Sequence, residues 1–364
     1  MKNVLISGAS FAGLSTAYWM NKFGYQVTIV EVAQSIKKGG TPVNILENTI
    51  DIVKRMGLFD QIVSKQLHME LMEFKNANDE TQSSDNHHQK NEEYEIERDD
   101  LLEMIYKVIE NDVEFIYGDS ITVLSEDDLG VEVAFKSGDS RKFNLVFGCD
   151  GLHSIVRKLW FGEESQFSQF LKMYFSITIV NKLLIKENTT QMYSEPGKTV
   201  MLNAYNGKTD ICLAYISEQE IPYDYRNENQ QRAMITEAFK TTGWRTRELL
   251  NEVQKSATFY FDKLCQMKMA NWTKGRVALV GDAGYCASPA AGRGGSLAID
   301  GAAALADAFE KCNGDYKLAF QEYNTKFRPF VEQLQADVIN YNLDVFIPKT
   351  EEDIRKRNIE GFGF

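Results

Sequence analysis

A glycine-rich turn near the start of the chain is the first feature that could do chemistry. Residues 4–31 read VLISGASFAGLSTAYWMNKFGYQVTIVE: an apolar run leads into Gly8 and Gly13, a stretch with helical spacing follows, and Glu31 closes a second apolar run. A strand, a glycine turn, a helix, a strand and an acid in this order form the fingerprint of a dinucleotide site. We therefore predict dinucleotide binding here. The alternative is an ordinary glycine turn without a ligand.

The predicted roles follow from the geometry of that unit. Gly8 permits the tight turn, Gly13 permits close packing of the helix on the strand, and the helix N-terminus offers free N–H groups to a pyrophosphate. Glu31 is expected to accept hydrogen bonds from a ribose diol, which favours a ribose without a 2′-phosphate. Ser10 stands where the fingerprint has its second glycine, and its N–H and hydroxyl can still face phosphate. This unit alone does not distinguish NAD from FAD.

A second polar turn follows an apolar run in residues 145–157, which read LVFGCDGLHSIVR. Asp150 comes directly after the run, and Ser154 and Arg157 lie three residues apart where a helix should begin. Ligands of open α/β sheets bind at the carboxyl ends of the strands, so Asp150 is a candidate site residue. The alternative is that Asp150 caps the start of the helix. The motif by itself favours neither.

A third motif occupies residues 275–304, which read GRVALVGDAGYCASPAAGRGGSLAIDGAAA. The pattern predicts a strand over 276–280, a glycine-rich loop, and a small-residue helix beginning at Ser296. Asp282, at the strand end, is placed to hydrogen-bond a ribityl or ribose hydroxyl. The helix N-terminus would stabilise negative charge on a reduced flavin, and the glycines would let the backbone approach a flat ring. A tight loop with close helix packing is the alternative. The loop residues in question are Pro289, Gly292, Gly294 and Gly295.

With these motifs in order, the chain resembles the class A flavoprotein monooxygenases, which have the para-hydroxybenzoate hydroxylase fold. The resemblance covers residues 1 to about 330, and it includes Arg98 in YEIERDDLLEMI, which matches the family's cofactor-contacting arginine before a helix. Within the family, the chain most resembles the tetracycline-inactivating monooxygenases, the tetracycline destructases. Residues 259–289 and the stretch KKGGTPVNI at 37–45, with its two glycines beside the flavin, carry that similarity.

Four positions depart from the family pattern. The family usually has Gln at the position of Arg293 and Asn at the position of Ser296, often His at Tyr285, and in many members Asp at Gly301. Ser296 and Gly301 are typical of the destructase side of the family. Arg293 is more unusual, because it adds a cation near the flavin loop that could alter redox tuning or the substrate channel.

The resemblance implies an α/β fold with a Rossmann-like FAD-binding domain, an antiparallel-sheet substrate domain and a C-terminal helix. The implied boundaries are 1–72, 96–165 and 265–315 for the FAD-binding domain, 73–95 and 166–264 for the substrate domain, and 316–364 for the C-terminal segment. The cofactor-binding residues expected are Gly8, Ser10, Ala12, Gly13, Glu31, Gly40, Arg98, Asp150, Asp282, Pro289, Gly292, Gly294 and Gly295.

The resemblance also implies a reaction. NADPH or NADH, bound transiently, reduces FAD; O2 then adds at flavin C4a, and the hydroperoxide inserts one oxygen atom into a polycyclic phenolic or enolic substrate, with tetracycline as a candidate. No catalytic side chain is required, because the cofactor carries the chemistry. Two alternatives stay open: an FAD oxidoreductase that inserts no oxygen, and a non-catalytic FAD-containing binding protein.

Composition excludes several other classes of protein. The 364 residues carry 40 Lys and Arg against 52 Asp and Glu, a net charge of −12, which argues against nucleic acid or an anionic membrane as the main partner. Five widely spaced cysteines favour reduced thiols over a disulfide framework. No apolar run approaches a membrane span, and apolar strand residues begin at Val4, so we expect no signal peptide. We expect a cytoplasmic monomer that acts on an aromatic or polyketide small molecule and holds no metal.

The remaining segments are predicted from their patterns. Residues 166–264 are rich in β-type residues, with Asn206-Gly207 as a hairpin signal, so one face of an antiparallel sheet is expected to cover the flavin. Residues 75–97 are expected to form a solvated loop or hairpin. His87-His88 lies in this stretch, but no Cys or acidic cluster with metal-ligand spacing surrounds it, so we expect no metal site there. Residues 316–345 have the spacing of a long helix that Pro329 should kink; it either bridges the domains or simply packs. Alternating residues of the sheet line the cavity or fill the core: Met192, Met201, Asn203, Cys212 and Ala214.

Overall fold

The computed structural model describes residues 2–86 and 93–361. The strands among them are β1 (Asn3–Ser7), β2 (Gln26–Glu31), β3 (Val43–Leu46), β4 (Leu71–Lys75), β5 (Thr81–Asn86), β6 (Glu93–Ile96), β7 (Glu114–Tyr117), β8 (Ile121–Asp127), β9 (Gly130–Phe135), β10 (Ser140–Phe143), β11 (Leu145–Gly148), β12 (Ser168–Val180), β13 (Thr189–Glu195), β14 (Lys198–Tyr205), β15 (Lys208–Ile216), β16 (Thr258–Met267), β17 (Thr273–Lys274) and β18 (Val277–Leu279).

The helices are α1 (Phe11–Lys22), α2 (Glu47–Arg55), α3 (Phe59–Ser64), α4 (Arg98–Ile109), α5 (Ile155–Trp160), α6 (Glu228–Phe239), α7 (Thr246–Lys255), α8 (Asp282–Tyr285), α9 (Gly294–Lys311), α10 (Tyr316–Asp337), α11 (Leu343–Phe346) and α12 (Glu351–Glu360). Two single 3₁₀ turns lie at Glu164–Gln166 and Pro289–Ala291, and a π-helical turn lies at Val338–Asn342. In the described part of the chain, none of these helices combines the length and the apolar character needed to cross a bilayer.

A six-stranded sheet carries the three motifs. Its order is β17-β18-β11-β1-β2-β7, and every pair except β17–β18 is parallel. The strands that precede the motifs are apolar runs buried along nearly their whole length, as expected for a parallel sheet covered on both faces. Because parallel strands point the same way, the turns after β1, β11 and β18 meet at one edge of the sheet.

A seven-stranded sheet faces that edge. Its order is β16-β12-β15-β14-β13-β4-β5, antiparallel except for the β13–β4 pair. The hairpin predicted at Asn206-Gly207 is confirmed, because Tyr205 pairs with Lys208 and both turn residues have positive φ. The predicted architecture, a Rossmann-like α/β domain with a second antiparallel sheet, is therefore confirmed.

Helices α6 and α7 cover one face of this second sheet, and the other face is turned towards the motifs. Ile211 and Leu213 of β15 pack with Phe239 and Leu249 on the helix side. Alternating with them on β15, Cys212 points to the opposite face. Cross-strand register places Met192, Met201 and Cys212 in one row with Ile177 of β12 and Tyr260 of β16.

The C-terminal segment is not one continuous helix. The predicted helix over 316–345 ends at Asp337, a π-helical turn follows at Val338–Asn342, and α11 and α12 continue the chain. Helix α10 packs on α9 of the motif side, whereas α12 contacts β5 and β13 of the second sheet. The segment therefore contacts both sheets. The polar stretch 75–97 contains the last residue of β4 and the whole of β5 and β6. His87-His88 lies outside the described residues.

Candidate active site

A cavity of about 530 Å³ lies between the motif edge of the six-stranded sheet and the inner face of the seven-stranded sheet. Its volume is in the range of small-molecule sites. Nine of the predicted cofactor-binding residues line it, and four are not among its lining residues: Gly8, Gly13, Glu31 and Asp150. The nine are Ser10, Ala12, Gly40, Arg98, Asp282, Pro289, Gly292, Gly294 and Gly295.

The turn between β1 and α1 depends on its two glycines. Gly8 has φ +101°, and a Cβ built on it would lie 2.5 Å from the carbonyl oxygen of Cys149. A Cβ on Gly13 would overlap the carbonyl oxygen of Gly8. The side chain of Ser10 makes no capping bond, and α1 has no acid in its first turn, so the N-terminal N–H groups are left for a ligand in the cavity.

Glu31 reaches the turn from the end of β2. Its carboxylate accepts hydrogen bonds from the backbone N–H groups of Ala9, at 2.8 Å, and Ala33, at 2.9 Å. A carboxylate has about four lone-pair positions, so two acceptor positions remain beside these bonds. The acid thus holds the turn in shape and still offers acceptors to a diol.

Arg98, the first residue of α4, ties three segments of the cavity wall together. Its guanidinium donates to the carbonyl oxygens of Lys37 and Gly39 and to the hydroxyl of Ser10, at 3.1, 2.9 and 3.2 Å. Gly40 has φ +123°, and a Cβ there would press on the Arg98 side chain. Burial lowers the pKa of Arg98, an effect that the charge of Asp99 opposes.

Asp150 faces the following helix. Its carboxylate accepts from the backbone N–H groups of Ile155 and Val156, at 2.9 and 3.1 Å, and from the hydroxyl of Ser154, which is the N-cap of α5. Burial raises its pKa, and these hydrogen bonds oppose the rise. The geometry thus corresponds to the helix-capping alternative, and the residues of this turn that line the cavity are its neighbours Cys149 and Gly151. A contact between Asp150 and the cofactor stays a prediction.

The other polar residues of the second motif have structural partners. The side chain of Arg157 is almost fully buried and donates to the carbonyl oxygens of Leu152 and Ala283, at 2.6 and 2.9 Å. Ala283 belongs to the third motif, so Arg157 links the second motif to the third rather than lining the cavity.

Asp282 lies inside the cavity at the start of α8. Burial raises its pKa to about 6, although a hydrogen bond with the Cys286 thiol opposes the rise. Gly281, which precedes it with φ +70°, allows the turn out of β18. A buried carboxylate that gains hydroxyl donors is stabilised in its charged form, so Asp282 suits a polyol ligand.

The model of an FAD binding domain matches residues 1–336 of this chain. A flavin-dependent monooxygenase of Legionella longbeachae is 34% identical over 338 residues, which are 91% of this chain and 86% of that protein. The crystal structure of the tetracycline destructase Tet(51) has a TM-score of 0.89 and 31% identity, and covers 99% of this chain and 95% of that one. The destructase Tet(55) gives a TM-score of 0.88 and 32% identity, with 100% and 95% covered.

The chain belongs to the FAD-dependent monooxygenases. The residues around the cavity fit that cofactor. Gly8 and Gly13 allow a tight turn in which any Cβ would collide with the backbone, the N-terminus of α1 has no acid in its first turn, and Asp282 is a buried carboxylate that suits a polyol.

Two of the departures from the family pattern in this monooxygenase form one packing unit. A Cβ on Gly301 would overlap the hydroxyl of Tyr285. Tyr285 is fully buried, and its hydroxyl lies 2.9 Å from that of Tyr323. The tyrosine therefore occupies the space that a side chain at position 301 would need, so the two departures compensate each other.

The other two departures hold the cavity rim. Arg293 forms a two-pronged ion pair with Glu47, at 3.0 and 3.2 Å, and Ser296 donates a hydrogen bond to the carbonyl oxygen of Asn44. Both bonds join α9 to the segment that includes β3 and the start of α2. Arg293 is thus paired with Glu47, and an effect of this cation on redox tuning or on the substrate channel stays a prediction.

Sequence reasoning missed the apolar wall of the cavity. Phe175 and Ile177 of β12 and Tyr260 of β16 line it. Met192, Met201, Asn203, Cys212 and Ala214 share their sheet face but are not among the lining residues that the structure describes. Register between distant strands decides which part of the face meets the cavity. The period-2 alternation of β16 was the available signal, but it does not say which face is inward.

Proposed function

We propose that this monooxygenase uses NADPH or NADH to insert one oxygen atom of O2 into a polycyclic phenolic or enolic substrate, with tetracycline as the first candidate. The observation that carries the proposal is the shared cavity, bounded by the FAD-binding motifs on one side and by an aromatic sheet face on the other. A cofactor ring and a planar substrate can meet in such a space. The similarity to tetracycline destructases supports the choice of first substrate.

Bound FAD would supply electron transfer and the activation of O2. The residues of the chain would bind and orient it. We assign the N–H groups at the start of α1 to the pyrophosphate, Glu31 to the adenosine ribose, and Asp282 to a ribityl or ribose hydroxyl. Arg98 would keep the segment around Gly40 in place. The sheet face, with Phe175 and Ile177, would exclude water from the reacting rings.

We also propose that cofactor binding and substrate selection belong to different domains, with the boundaries predicted from the sequence. Residues 1–72, 96–165 and 265–315 would bind the cofactor, and 73–95 and 166–264 would select the substrate. The pairing of β4 with β13 supports an early segment within the substrate sheet, since β4 joins strands that come more than a hundred residues later.

The test of function begins with the visible spectrum of the purified protein. NADPH and NADH oxidation in air is then followed with and without tetracycline, under ¹⁶O2 and ¹⁸O2. We expect tetracycline-stimulated oxidation and a product heavier by one oxygen atom, labelled by ¹⁸O2. Stimulated oxidation that yields only hydrogen peroxide would contradict oxygen insertion and favour the oxidoreductase alternative. Flavin bands without turnover on any phenolic substrate would favour the binding-protein alternative.

The cofactor assignment has its own test. Glu31→Ala and Asp282→Ala are expected to lower FAD affinity, whereas Asp128→Ala, an exposed acid between β8 and β9, serves as a matched control. Because burial raises the pKa of Asp282 to about 6 and hydroxyl donors favour its charged form, FAD affinity should rise as the pH rises through about 6. Titration of the apoprotein with FAD between pH 5 and 8 measures this. Unchanged affinity in both variants would refute the assignment.

A further inference from the structure

Tyr260 stands at the boundary between the cavity and the sheet. Its ring lines the cavity and is 42% exposed, the largest exposed fraction among the aromatic residues that line the cavity in the described chain. The ring of Phe175 lies 5.5 Å from it, centroid to centroid, with the planes tilted by 57°. Ile177 is its direct partner across the β12–β16 ladder. Together these three side chains form a largely apolar wall.

The hydroxyl of Tyr260 is engaged by Asp262, two residues further along the same strand and on the same sheet face. It donates to the carboxylate of Asp262, at 3.0 Å. Asp262 is nearly fully buried and also accepts from the hydroxyl of Tyr223, at 2.5 Å, and from the backbone N–H of Lys263, at 2.8 Å. Burial, and then the charge of Asp262, raise the pKa of Tyr260 well above its usual range. Tyr260 therefore offers the cavity its ring rather than an acid or a base.

The fourth partner of Asp262 comes from the second motif rather than from the sheet. His153 follows the turn of the second motif, and its Nε2 lies 3.1 Å from the Asp262 carboxylate. Its Nδ1 lies 2.8 Å from the carboxylate of Glu164, and its ring stacks on Tyr225 at 4.0 Å. His153 thus links the loop containing Gly151, which lines the cavity, to the strand that carries Tyr260.

We propose that Tyr260 and Phe175 form the wall against which the planar ring system of the substrate lies, and that Asp262 and His153 are positioning residues that hold Tyr260 in place. The assignment rests on the proposed function, because it places a fused-ring phenol or enol in the cavity. Aromatic faces bind planar rings by offset or tilted packing, which requires a ring held at a fixed angle. The hydrogen bond to Asp262, which His153 of the second motif holds in turn, provides that rigidity.

The protonation state of His153 should make the support of Tyr260 depend on pH. Burial lowers the pKa of His153, but hydrogen bonds with Asp262 and Glu164 and their charges outweigh that effect and raise it to about 9. Below this pH the imidazolium donates to both carboxylates, and above it one donor is lost. The titratable and charged groups around His153 are Asp262, Lys263, Tyr260, Tyr223 and Tyr225 of the second sheet and its loop, Glu220 beside Lys263, and Glu164 and Arg157 of the motif side.

The experiment measures ligand binding to the FAD-loaded enzyme without reductant. Tetracycline, anhydrotetracycline and a hydroxylated anthraquinone are titrated while the absorbance of the oxidised flavin and the ligand fluorescence are recorded. Tyr260→Leu should raise Kd about tenfold, which is about 1.4 kcal/mol of binding free energy. Tyr260→Phe, which keeps the ring, should raise Kd about threefold or less. The KM for NADPH, measured as flavin reduction under anaerobic conditions, should change less than twofold.

The support that Asp262 and His153 give to Tyr260 is tested by pH. In the wild type, Kd should rise as the pH passes about 9. His153→Gln and Asp262→Asn should raise Kd about threefold at pH 7.5 and abolish the pH step. His68→Gln, which removes an exposed histidine, is the matched control and should retain the step. A residue that only stabilised the fold would not shift the pH profile of Kd.

Each contrary outcome has a distinct meaning. Equal binding by Tyr260→Leu and wild type would overturn the wall while leaving the proposed function intact. Loss of NADPH affinity instead of ligand affinity would assign the wall to the nicotinamide and also overturn the proposal. A wild type that binds FAD but none of the three ligands would overturn both the wall and the tetracycline assignment. If Tyr260→Leu fails to fold, Tyr260→Phe and the wild-type pH profile decide.

Discussion

On the motif side of the cavity the deciding atoms belong to the backbone, and on the sheet side they belong to side chains. The turn at Gly8 and Gly13 works because two Cβ atoms are missing. The wall at Tyr260 works because its hydroxyl is held by Asp262 of the same strand, and Asp262 is in turn hydrogen-bonded to His153 of the second motif. A site built from the backbone tolerates few residue types, but its residues are contiguous in the sequence. A side-chain site is more adaptable, and its partners are scattered along the chain.

The largest expected effect would come from adding a methyl group to the backbone site. Gly13→Ala places a Cβ onto the carbonyl oxygen of Gly8, so we expect a loss of about 3 kcal/mol in the free energy of unfolding, together with loss of FAD. Urea denaturation and the flavin content of the purified protein measure the two effects. Gly294→Ala is the matched control for stability alone, because its Cβ meets open space and it lies in the first turn of a helix, whereas its place in the cavity lining disqualifies it as a control for FAD content. Normal stability in Gly13→Ala would contradict the backbone account of this side.

The pair Tyr285 and Gly301 sharpens the comparison, because there a side chain fills the space of a missing Cβ. Gly301→Ala is expected to cost about 2 kcal/mol in the free energy of unfolding through overlap with the Tyr285 hydroxyl. Tyr285→Phe removes that hydroxyl, so the double variant should be more stable than the sum of the two single effects predicts. Strict additivity in this double-mutant cycle, measured by denaturation, would show that the two departures are independent.

The side-chain site should respond to pH through His153. A group whose pKa is raised by folding, here from about 6.5 to about 9, stabilises the fold fully below the lower value and loses that contribution as the pH rises through about 9. The side chain is 21% exposed, so we expect about 2 kcal/mol of stabilisation rather than the full value of the shift.

Denaturation at a series of pH values between 6 and 10.5 checks this expectation. His153→Gln should remove the decline near pH 9, and His68→Gln should leave it unchanged. A wild type whose stability shows no His153-dependent decline would mean that the histidine is not charged in the folded protein.

The smallest effect is expected at the cavity rim. Arg293→Gln, which introduces the residue usual in the family, breaks an ion pair whose Glu47 member is 64% exposed, so the free energy of unfolding should change by less than about 1 kcal/mol. The reduction potential of the bound flavin should also stay close to that of the wild type, because Glu47 already neutralises the arginine. Glu47→Gln, which removes the other member of the ion pair, is the control. A marked shift of the potential in Arg293→Gln alone would show that this cation acts on the flavin.

The sequence was sufficient for the backbone side because its requirements are local. A glycine at a position of positive φ, a strand before it and a helix after it all lie within some thirty residues. The capping role of Asp150 was foreseen as an alternative for the same reason, since its partners Ile155 and Val156 lie within six residues. Nine of the predicted residues share one cavity because parallel strands end at one edge of the sheet.

The side-chain side could not be read from the sequence. Alternation along β12 and β16 indicates that every second residue faces one way, but not which way, and a shift of one residue would exchange the faces. The three partners Tyr260, Asp262 and His153 also come from strand and loop segments that meet only after folding. The break of the C-terminal helix at Asp337 was missed too, because the apolar spacing continues through the π-helical turn.

By itself, the sequence therefore determined the cofactor class of this protein, the order of its motifs and the residues that bring its backbone close to a ligand. Only the tertiary structure decided which side chains form the opposite wall, why Tyr285 accompanies Gly301, and how Arg293 is neutralised. The physical reason is the range of the interactions: turn geometry and helix termini are set by neighbours along the chain, whereas packing and ion pairs depend on segments brought together by folding.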